Sequence, residues 1–505
     1  MIAIVKSYSL EGIEGYPVDI EVDTQSGIPA FDVVGLPGSS VKEAKNRVRA
    51  AVKNSNYEFM PKRITVNLAP ADIKKDGSQY DFPIAIGFLA VTEQLPPIDF
   101  SKYIMIGELS LDGGIRKVNG VLPILISAYQ AGYRKFIIPH ENASEAAYID
   151  GAEVYPVKTL SDAAAFLGGI LKIAPVPYAG YSSKLAINRY GTDISEVRGQ
   201  VVVKRALEIA VAGGHNMLMC GAPGAGKTML AKCVPSIMPD MTFAEAIETT
   251  KIHSVAGILD DSGIVAVRPF RTPHHTASLH SLTGGGKNST PGEISLAHNG
   301  VLFLDEMPEY SKRTLETLRQ PLEDGVITVT RVARSVEYPA RFMLIASMNP
   351  CPCGYEGSEI KDCTCSTLEK RRYRARISGP LLDRIDIYAD VDGIEYSEFA
   401  AKADAETSLE VKARVEGARR IQLARFGCDG IFVNARMTNA QIKKYCKLDK
   451  EGEMLLAAAY KRFGLSARGA TRIIKTARTI ADLKGAEQIS ATDLAEAIQY
   501  RVRSE

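Results

Sequence analysis

With 505 residues, 46% of them apolar and 24% charged, the chain has the make-up of two to four packed globular domains, which excludes a wholly disordered or fibrous protein. A net charge of +2 excludes a global pull toward nucleic acid, so any such surface has to be local. The longest apolar stretch, residues 82–91, is too short to cross a bilayer, the first residues carry no secretory pattern, and eight cysteines in so long a chain form no disulfide framework; the expectation is a cytoplasmic protein with no membrane partner.

In chain order, strand-like runs at Ile64–Leu68 and Lys135–Pro139 alternate with helical segments such as 121–131, which predicts an α/β domain over residues 1–172. Pro175, Pro177 and a Gly-Tyr-Ser-Ser stretch then break the periodicity, so 173–193 reads as a linker. A core over 194–395 opens with a helix at 202–212, and residues 396–505, rich in Ala, Lys, Arg, Leu and Glu, read as a helical bundle.

The apolar run Met217–Cys220 ends in Gly221, Ala222, Pro223, Gly224, Ala225, Gly226, Lys227 and Thr228, a complete G-x-x-x-x-G-K-T phosphate loop. Glycines there let backbone N–H groups face one concavity, where they and the following helix N-terminus hold triphosphate oxygens. Lys227 is expected on the β- and γ-phosphates of ATP and Thr228 on Mg2+. The run Val301–Leu304 ends in Asp305 and Glu306, carboxylates at the end of a buried parallel strand. Asp305 is placed to hold Mg2+ through its outer coordination layer, and Glu306 to polarise the water that attacks the γ-phosphate. A third apolar run, 342–346, leads to Asn349, which can help position that water.

Between the last two runs, Val326–Thr330 and Ser335–Tyr338 form a hairpin candidate with Arg331 and Arg334 at its tip, either a solvated turn or a pair of DNA phosphate contacts. Cys351, Cys353, Cys363 and Cys365 lie within fifteen residues, and a four-thiolate Zn2+ site is one reading. One residue rather than two to four separates each pair, and unliganded or redox-active thiols are the other reading. Immediately after, Lys370, Arg371 and Arg372 open a basic run around Tyr373, and Val411–Asp482 carries sixteen Lys/Arg against six Asp/Glu. Both segments are candidates for tracking DNA phosphates, against the alternative of solvated helical faces. His274 and His275 lack thiol or acidic partners at metal-ligand spacing and read as structural or DNA-proximal.

Residues 194–395 resemble the AAA+ ATPases of the magnesium-chelatase type, and the segments Arg268–His275 and Pro291–Gly300 narrow the resemblance to the YifB/ComM branch over essentially the whole chain. That resemblance implies a homo-hexameric ATPase acting in DNA branch migration during natural transformation and recombination. By position it makes Arg384, in Gly379–Asp386, the arginine finger that reaches a neighbouring subunit's γ-phosphate, and Arg468, in Leu465–Gly469, the second sensor of a C-terminal helical lid. Guanidinium groups suit both roles, because their fixed donors match the charge that develops on phosphoryl oxygens.

Residues 1–172 resemble a Lon-protease-like domain of the ribosomal S5 domain 2-like class, through Lys74–Asp81 and Gly107–Gly113. Gln79 stands where that family has its nucleophilic serine, with Ser78 one position early, and Leu122 where it has the activating lysine, so the domain is expected to assemble or dock rather than cleave. The expectation is thus an α/β multidomain chain: a Lon-like domain, an AAA+ P-loop core with a parallel sheet, and a helical lid. Its expected activity is ATP hydrolysis that moves branched or single-stranded DNA, with ATP and Mg2+ as cofactors and Zn2+ as a candidate; the alternative is a chelatase-type subunit that remodels a protein partner.

Overall fold

Val18, Ile20 and Val22 alternate with less buried neighbours along one strand, and Ile64, Val66 and Leu68 do so along another, so each presents one apolar face. The computed structural model, which describes residues 2–181, 192–286, 289–330, 335–357, 361–393, 405–427 and 430–501, pairs these strands in a seven-stranded sheet. Its strands are β1 (Ile2–Glu11), β2 (Glu14–Gln25), β3 (Ala30–Val34), β4 (Arg63–Ala69), β5 (Tyr103–Met105), β6 (Lys135–Pro139) and β7 (Glu153–Val157), in the order β3-β4-β2-β1-β5-β6-β7. Helix α1 (Ser39–Asn54) buries Val41, Ala44, Val48, Ala51 and Val52 at helical spacing. The apolar stretch at 82–91 becomes α2 (Asp81–Val91), which is buried on nearly every side, the fate of a helix without a polar face. No helix among the described residues is long and apolar enough to cross a membrane.

Residues 173–181 form neither helix nor strand, yet they are tied down. The Val176 N–H donates to Val154 O at 2.8 Å, Ala179 N–H to Ala147 O at 2.8 Å, and the Tyr181 hydroxyl to Met241 O at 3.0 Å. The rest of the expected linker, 182–191, lies outside the described residues.

A second sheet of five parallel strands carries the motifs. In chain order these are β8 (Met217–Gly221), β9 (Phe270–Arg271), β10 (Val301–Leu304), β13 (Met343–Met348) and β14 (Ile387–Val391), arranged β9-β10-β13-β8-β14. The expected hairpin is present as β11 (Val326–Thr330) and β12 (Ser335–Pro339), antiparallel from Val326 opposite Pro339 to Thr330 opposite Ser335; its tip, with Arg331 and Arg334, lies outside the described residues. In a parallel sheet every carboxyl end falls on one edge, so the loops after β8, β10 and β13 meet.

The two sheets are joined at a polar contact. Helix α3 (Val121–Gln130) faces α6 (Phe243–Ala256), where the buried Glu145 carboxylate accepts from Ser254 Oγ at 2.6 Å, Leu122 N at 3.2 Å and Asn142 Nδ2 at 2.8 Å. Gly120 N–H donates to Ser254 O at 3.1 Å, and Ile13, from the β1–β2 turn, inserts beneath the β11–β12 hairpin. Removing the acceptor strands several buried donors, so Glu145→Ala is expected to lower stability by about 1–3 kcal/mol, read as a shifted denaturant midpoint. An unchanged midpoint would show that the contact contributes nothing.

From residue 408 on, the described chain is helical as expected: α8 (Ser408–Phe426), α9 (Lys450–Phe463), α10 (Ala467–Leu483) and α11 (Ala491–Gln499) are its main helices. They share one apolar core with one face of the five-stranded sheet, α4 (Val201–Gly213) and α5 (Lys227–Ile237). Of the sixteen basic residues expected as a phosphate track or a solvated face, eight are exposed and Arg478 is buried, and part of the excess is paired internally. Asp482, itself buried, pairs with Arg425 and Arg478 and accepts from Asn434 Nδ2 at 2.7 Å. Burial and the like charge of Arg268 lower the Arg419 guanidinium to about 10, and burial lowers Lys475 to about 8.

Candidate active site

The loop after β8 turns on glycines that a side chain would strain: Gly224 has φ 82° and Gly226 φ 91°. Gly226 caps α5, so the helix N-terminus and its unpaired N–H groups open directly onto the loop. Lys227, the first residue of α5, folds its ammonium back over the loop. It donates to Gly221 O at 2.6 Å, Ala222 O at 2.9 Å and Asn349 Oδ1 at 3.1 Å. Burial lowers its pKa from the ordinary lysine value, with Cys220, Asp305 and Glu306 opposing.

Thr228 Oγ1 donates to Asp305 Oδ2 at 2.8 Å, joining the start of α5 to the end of β10. Ser347, which sequence reasoning passed over, completes the arrangement: its hydroxyl donates to Asp305 and accepts the Glu306 N–H at 3.0 Å. A signal for it existed, since residues 347 and 349 stand two apart at the end of one strand and project to the same side. Glu306 is exposed and sits at φ 50°, a conformation that costs a non-glycine residue about 1–3 kcal/mol and that functional sites tend to retain. Lys227, Thr228, Asp305, Glu306 and Asn349 are thus gathered at one edge, with Gly221 to Gly226 forming the loop between them. This donor set suits a triphosphate with a hard divalent cation: an N–H-lined loop and ammonium for phosphate, a hydroxyl and a carboxylate for Mg2+.

Arg384 stands at the other end of the sheet. Asn216, immediately before β8, donates through Nδ2 to Arg384 O at 2.9 Å and through its N–H to Asp386 Oδ2 at 2.9 Å. The five residues of β8 therefore separate Arg384 from the phosphate loop of its own chain, a span of roughly 16 Å. The Arg384 side chain is mostly buried; it donates to Pro380 O at 2.7 Å and pairs with Glu323, whose carboxylate also lies 3.8 Å from Arg468. Arg468 is 66% exposed and Glu323 53%, so the arginine pair borders solvent. Burial first, then Arg319, Arg468 and Arg472, lower the pKa of Arg384. Nothing in the sequence singles out Glu323.

Two motif arginines prove to be scaffolding. Arg268 is buried, donating to Pro239 O at 2.6 Å, to Asn299 O at 2.7 Å and to Glu245 at 3.0 Å, while Arg271 forks onto Glu293 at 2.6 and 2.7 Å. The His274 and His275 ring centroids lie 4.1 Å apart with their planes tilted by 33°, and His274 Nδ1 lies 2.8 Å from Thr276 Oγ1. In α7 (Thr367–Arg374), Arg371 and Arg372 are exposed, whereas Lys370 approaches Glu356 at 3.4 Å. Tyr373, inside that basic run, is buried.

The four cysteines converge. Cys351, Cys353, Cys363 and Cys365 place their sulfurs within 4.8 Å of one another, and they are the one such metal-ligand group among the described residues. Sγ separations are 3.3 Å for Cys351–Cys353 and 3.6 Å for both Cys351–Cys363 and Cys353–Cys363, far beyond a disulfide bond.

The profile described as magnesium chelatase, subunit ChlI, matches residues 193–399; one described as subunit ChlI of Mg-chelatase matches 20–142, and one described as the ChlI C-terminal part matches 405–501. Competence protein ComM of Haemophilus influenzae is 42% identical over 503 residues, covering 99% of this chain and 97% of that protein. Protein YifB of Salmonella typhimurium is 43% identical over 505 residues, with the same coverage. The chain belongs to the YifB/ComM family of magnesium-chelatase-like proteins. A chloroplastic magnesium-chelatase subunit, ChlI-2 of Arabidopsis thaliana, is 24% identical over 231 residues, 45% of this chain and 49% of that protein. For a YifB/ComM-family chain, membership in the magnesium-chelatase class of AAA+ proteins implies ATPase activity, with ATP and Mg2+ as its cofactors.

Proposed function

We propose that the protein is a hexameric AAA+ motor of the cytoplasm that hydrolyses ATP between adjacent subunits and moves branched or single-stranded DNA, as in branch migration. The observation that carries the ring is the position of Arg384 and Arg468. Both lie at the edge of the sheet remote from their own phosphate loop, where a guanidinium serves only a nucleotide held by another copy. In this reading Glu323 holds the two arginines until a neighbour's γ-phosphate takes its place. The N–H groups of Gly221–Gly226 and the Lys227 ammonium bind the phosphates, Glu306 accepts a proton from the attacking water, and Asn349 orients that water. Thr228 and Asp305 would hold Mg2+, which when bound offsets the charge on the phosphate oxygens.

Residues 1–172 serve in this reading as a Lon-like assembly or docking module without a protease centre, and 396–505 as the lid. The Ser78 hydroxyl is bonded to the Glu108 carboxylate rather than to a lysine, and Leu122 is buried, which supports the non-proteolytic assignment. DNA as the object of the motor rests on similarity to a competence protein along 99% of the chain and on the exposed Arg371 and Arg372. Arg371→Ala and Arg372→Ala are each expected to weaken DNA binding without regard to sequence and to reduce the slope of log K against log salt by about 1. Equal slopes for wild type and variants would remove these residues from the DNA path.

The deciding experiment gives the purified protein a labelled four-way junction and ATP, with Glu306→Gln as control. Junction movement by the wild type alone supports the motor. ATP turnover that ignores DNA but responds to a chelatase partner would replace this reading with partner remodelling.

A further inference from the structure

We propose that Cys351, Cys353, Cys363 and Cys365 bind Zn2+ through four thiolates, and that this site clamps the ATP centre by pressing Asn349 and the phosphate loop into register. The clamp rests on the ATPase reading above; the metal site does not. With zinc–sulfur bonds of about 2.3 Å, a tetrahedron has sulfur–sulfur edges of about 3.8 Å. The Sγ separations of 3.3 and 3.6 Å need only a small expansion to reach it. On binding, each thiol gives its proton to solvent and its lone pair to the metal. Lys370, in contact with Glu356 and Cys363, supplies a cation beside the negative cluster.

The two arms of the site run to different places. The first pair follows β13 and Asn349 directly, and the turn closes with Gly354 N–H donating to Cys351 O at 3.0 Å. Gly354 has φ 86° and lies flat on the phosphate loop: a Cβ there would sit 2.5 Å from Pro223 Cδ and 3.9 Å from Asn349 Cγ. The turn is therefore wedged between Pro223 and the residue whose amide oxygen receives the Lys227 ammonium. The second pair leads through the Ser366 cap into α7, and Glu356 ties the loop to that helix through Lys370 and Arg374 at 3.4 and 2.8 Å. Residues 351–366 contain too few apolar side chains to pack such a junction alone. A metal supplies the missing constraint, and it joins the ATP edge of the sheet to the basic helix.

The test uses the full-length protein purified under reducing conditions, with metal content by mass spectrometry, the visible spectrum after Co2+ substitution, binding of a fluorescent ATP analogue, and steady-state ATP turnover. One Zn2+ per chain and a tetrahedral thiolate–cobalt spectrum are expected. Cys363→Ser should lose the metal. Gly354→Ala should retain it while pushing the turn off Pro223. Both variants should still bind the ATP analogue and should lower kcat roughly tenfold to a hundredfold with a much smaller change in KM. Protein without metal that also fails to take up Co2+ overturns the site. A Gly354→Ala protein that holds the metal and keeps wild-type kcat overturns the clamp, even where Cys363→Ser fails to fold. Wild-type protein that holds Zn2+ but hydrolyses no ATP overturns the ATPase reading, and the clamp with it, leaving the metal site standing.

Discussion

Glu306→Gln is expected to bind ATP as the wild type does and to hydrolyse it roughly 10²- to 10⁴-fold more slowly, the usual contribution of a positioned general base. Glutamine keeps the size of the side chain and the left-handed backbone at φ 50°, and its N–H still reaches Ser347 Oγ, so fold and nucleotide affinity should hold. Only the ability to accept a proton is removed. Lys227→Ala, by contrast, takes away the proposed phosphate ligand and should raise the dissociation constant of the nucleotide. Comparing the two by fluorescent-nucleotide binding and phosphate release separates chemistry from binding. A Glu306→Gln enzyme with kcat within tenfold of wild type would give the role to another residue.

Asp386→Ala is expected to cost about 3–5 kcal/mol of stability, because it leaves buried cationic and polar partners uncompensated. Asp386 is 4% exposed, pairs with Arg472, lies 3.8 Å from His215 and accepts the Asn216 N–H at 2.9 Å. One carboxylate thus fixes the start of β8, the start of β14 and helix α10. Burial raises its pKa, but Arg472 and then His215 outweigh that and hold it well below the ordinary aspartate value. A depressed carboxyl contributes its full stability above the unfolded value of about 3.9 and loses it as pH falls through the folded value. The wild type should therefore lose more stability than the variant on acidification below about pH 4, so the gap between their denaturant midpoints should narrow there. A gap that stays constant with pH would show that Asp386 is not held as the anion.

The candidate ATP site was the most legible part of the chain. A phosphate loop is a backbone requirement, and Gly224 and Gly226 advertise it because few other residues accept their φ angles. Asp305, Glu306 and Asn349 could be read because parallel strands end together. The hairpin and the helical C-terminus followed from local pattern. What stayed hidden depended on distant partners. Charge counting made Arg425 and Arg478 candidates for phosphate, and only the fold shows that Asp482 occupies both. That Tyr373 packs inward beneath exposed arginines could not be read either, because a basic run does not reveal which side of its helix is buried. The four clustered cysteines could be read as a candidate metal site despite their short C-x-C spacing, and the chain brings the two pairs together in space.

Glu145 and Ser254 have a mechanical consequence. Both the hydroxyl and the carbonyl of Ser254 are engaged by the amino-terminal sheet unit, and at Gly263 a side chain would collide with the backbone of Ser144. Such a seam leaves little room for a hinge. Whatever rotation the five-stranded sheet undergoes when nucleotide is exchanged, the seven-stranded sheet should travel with it as a rigid passenger, sweeping its outer surface through the same arc.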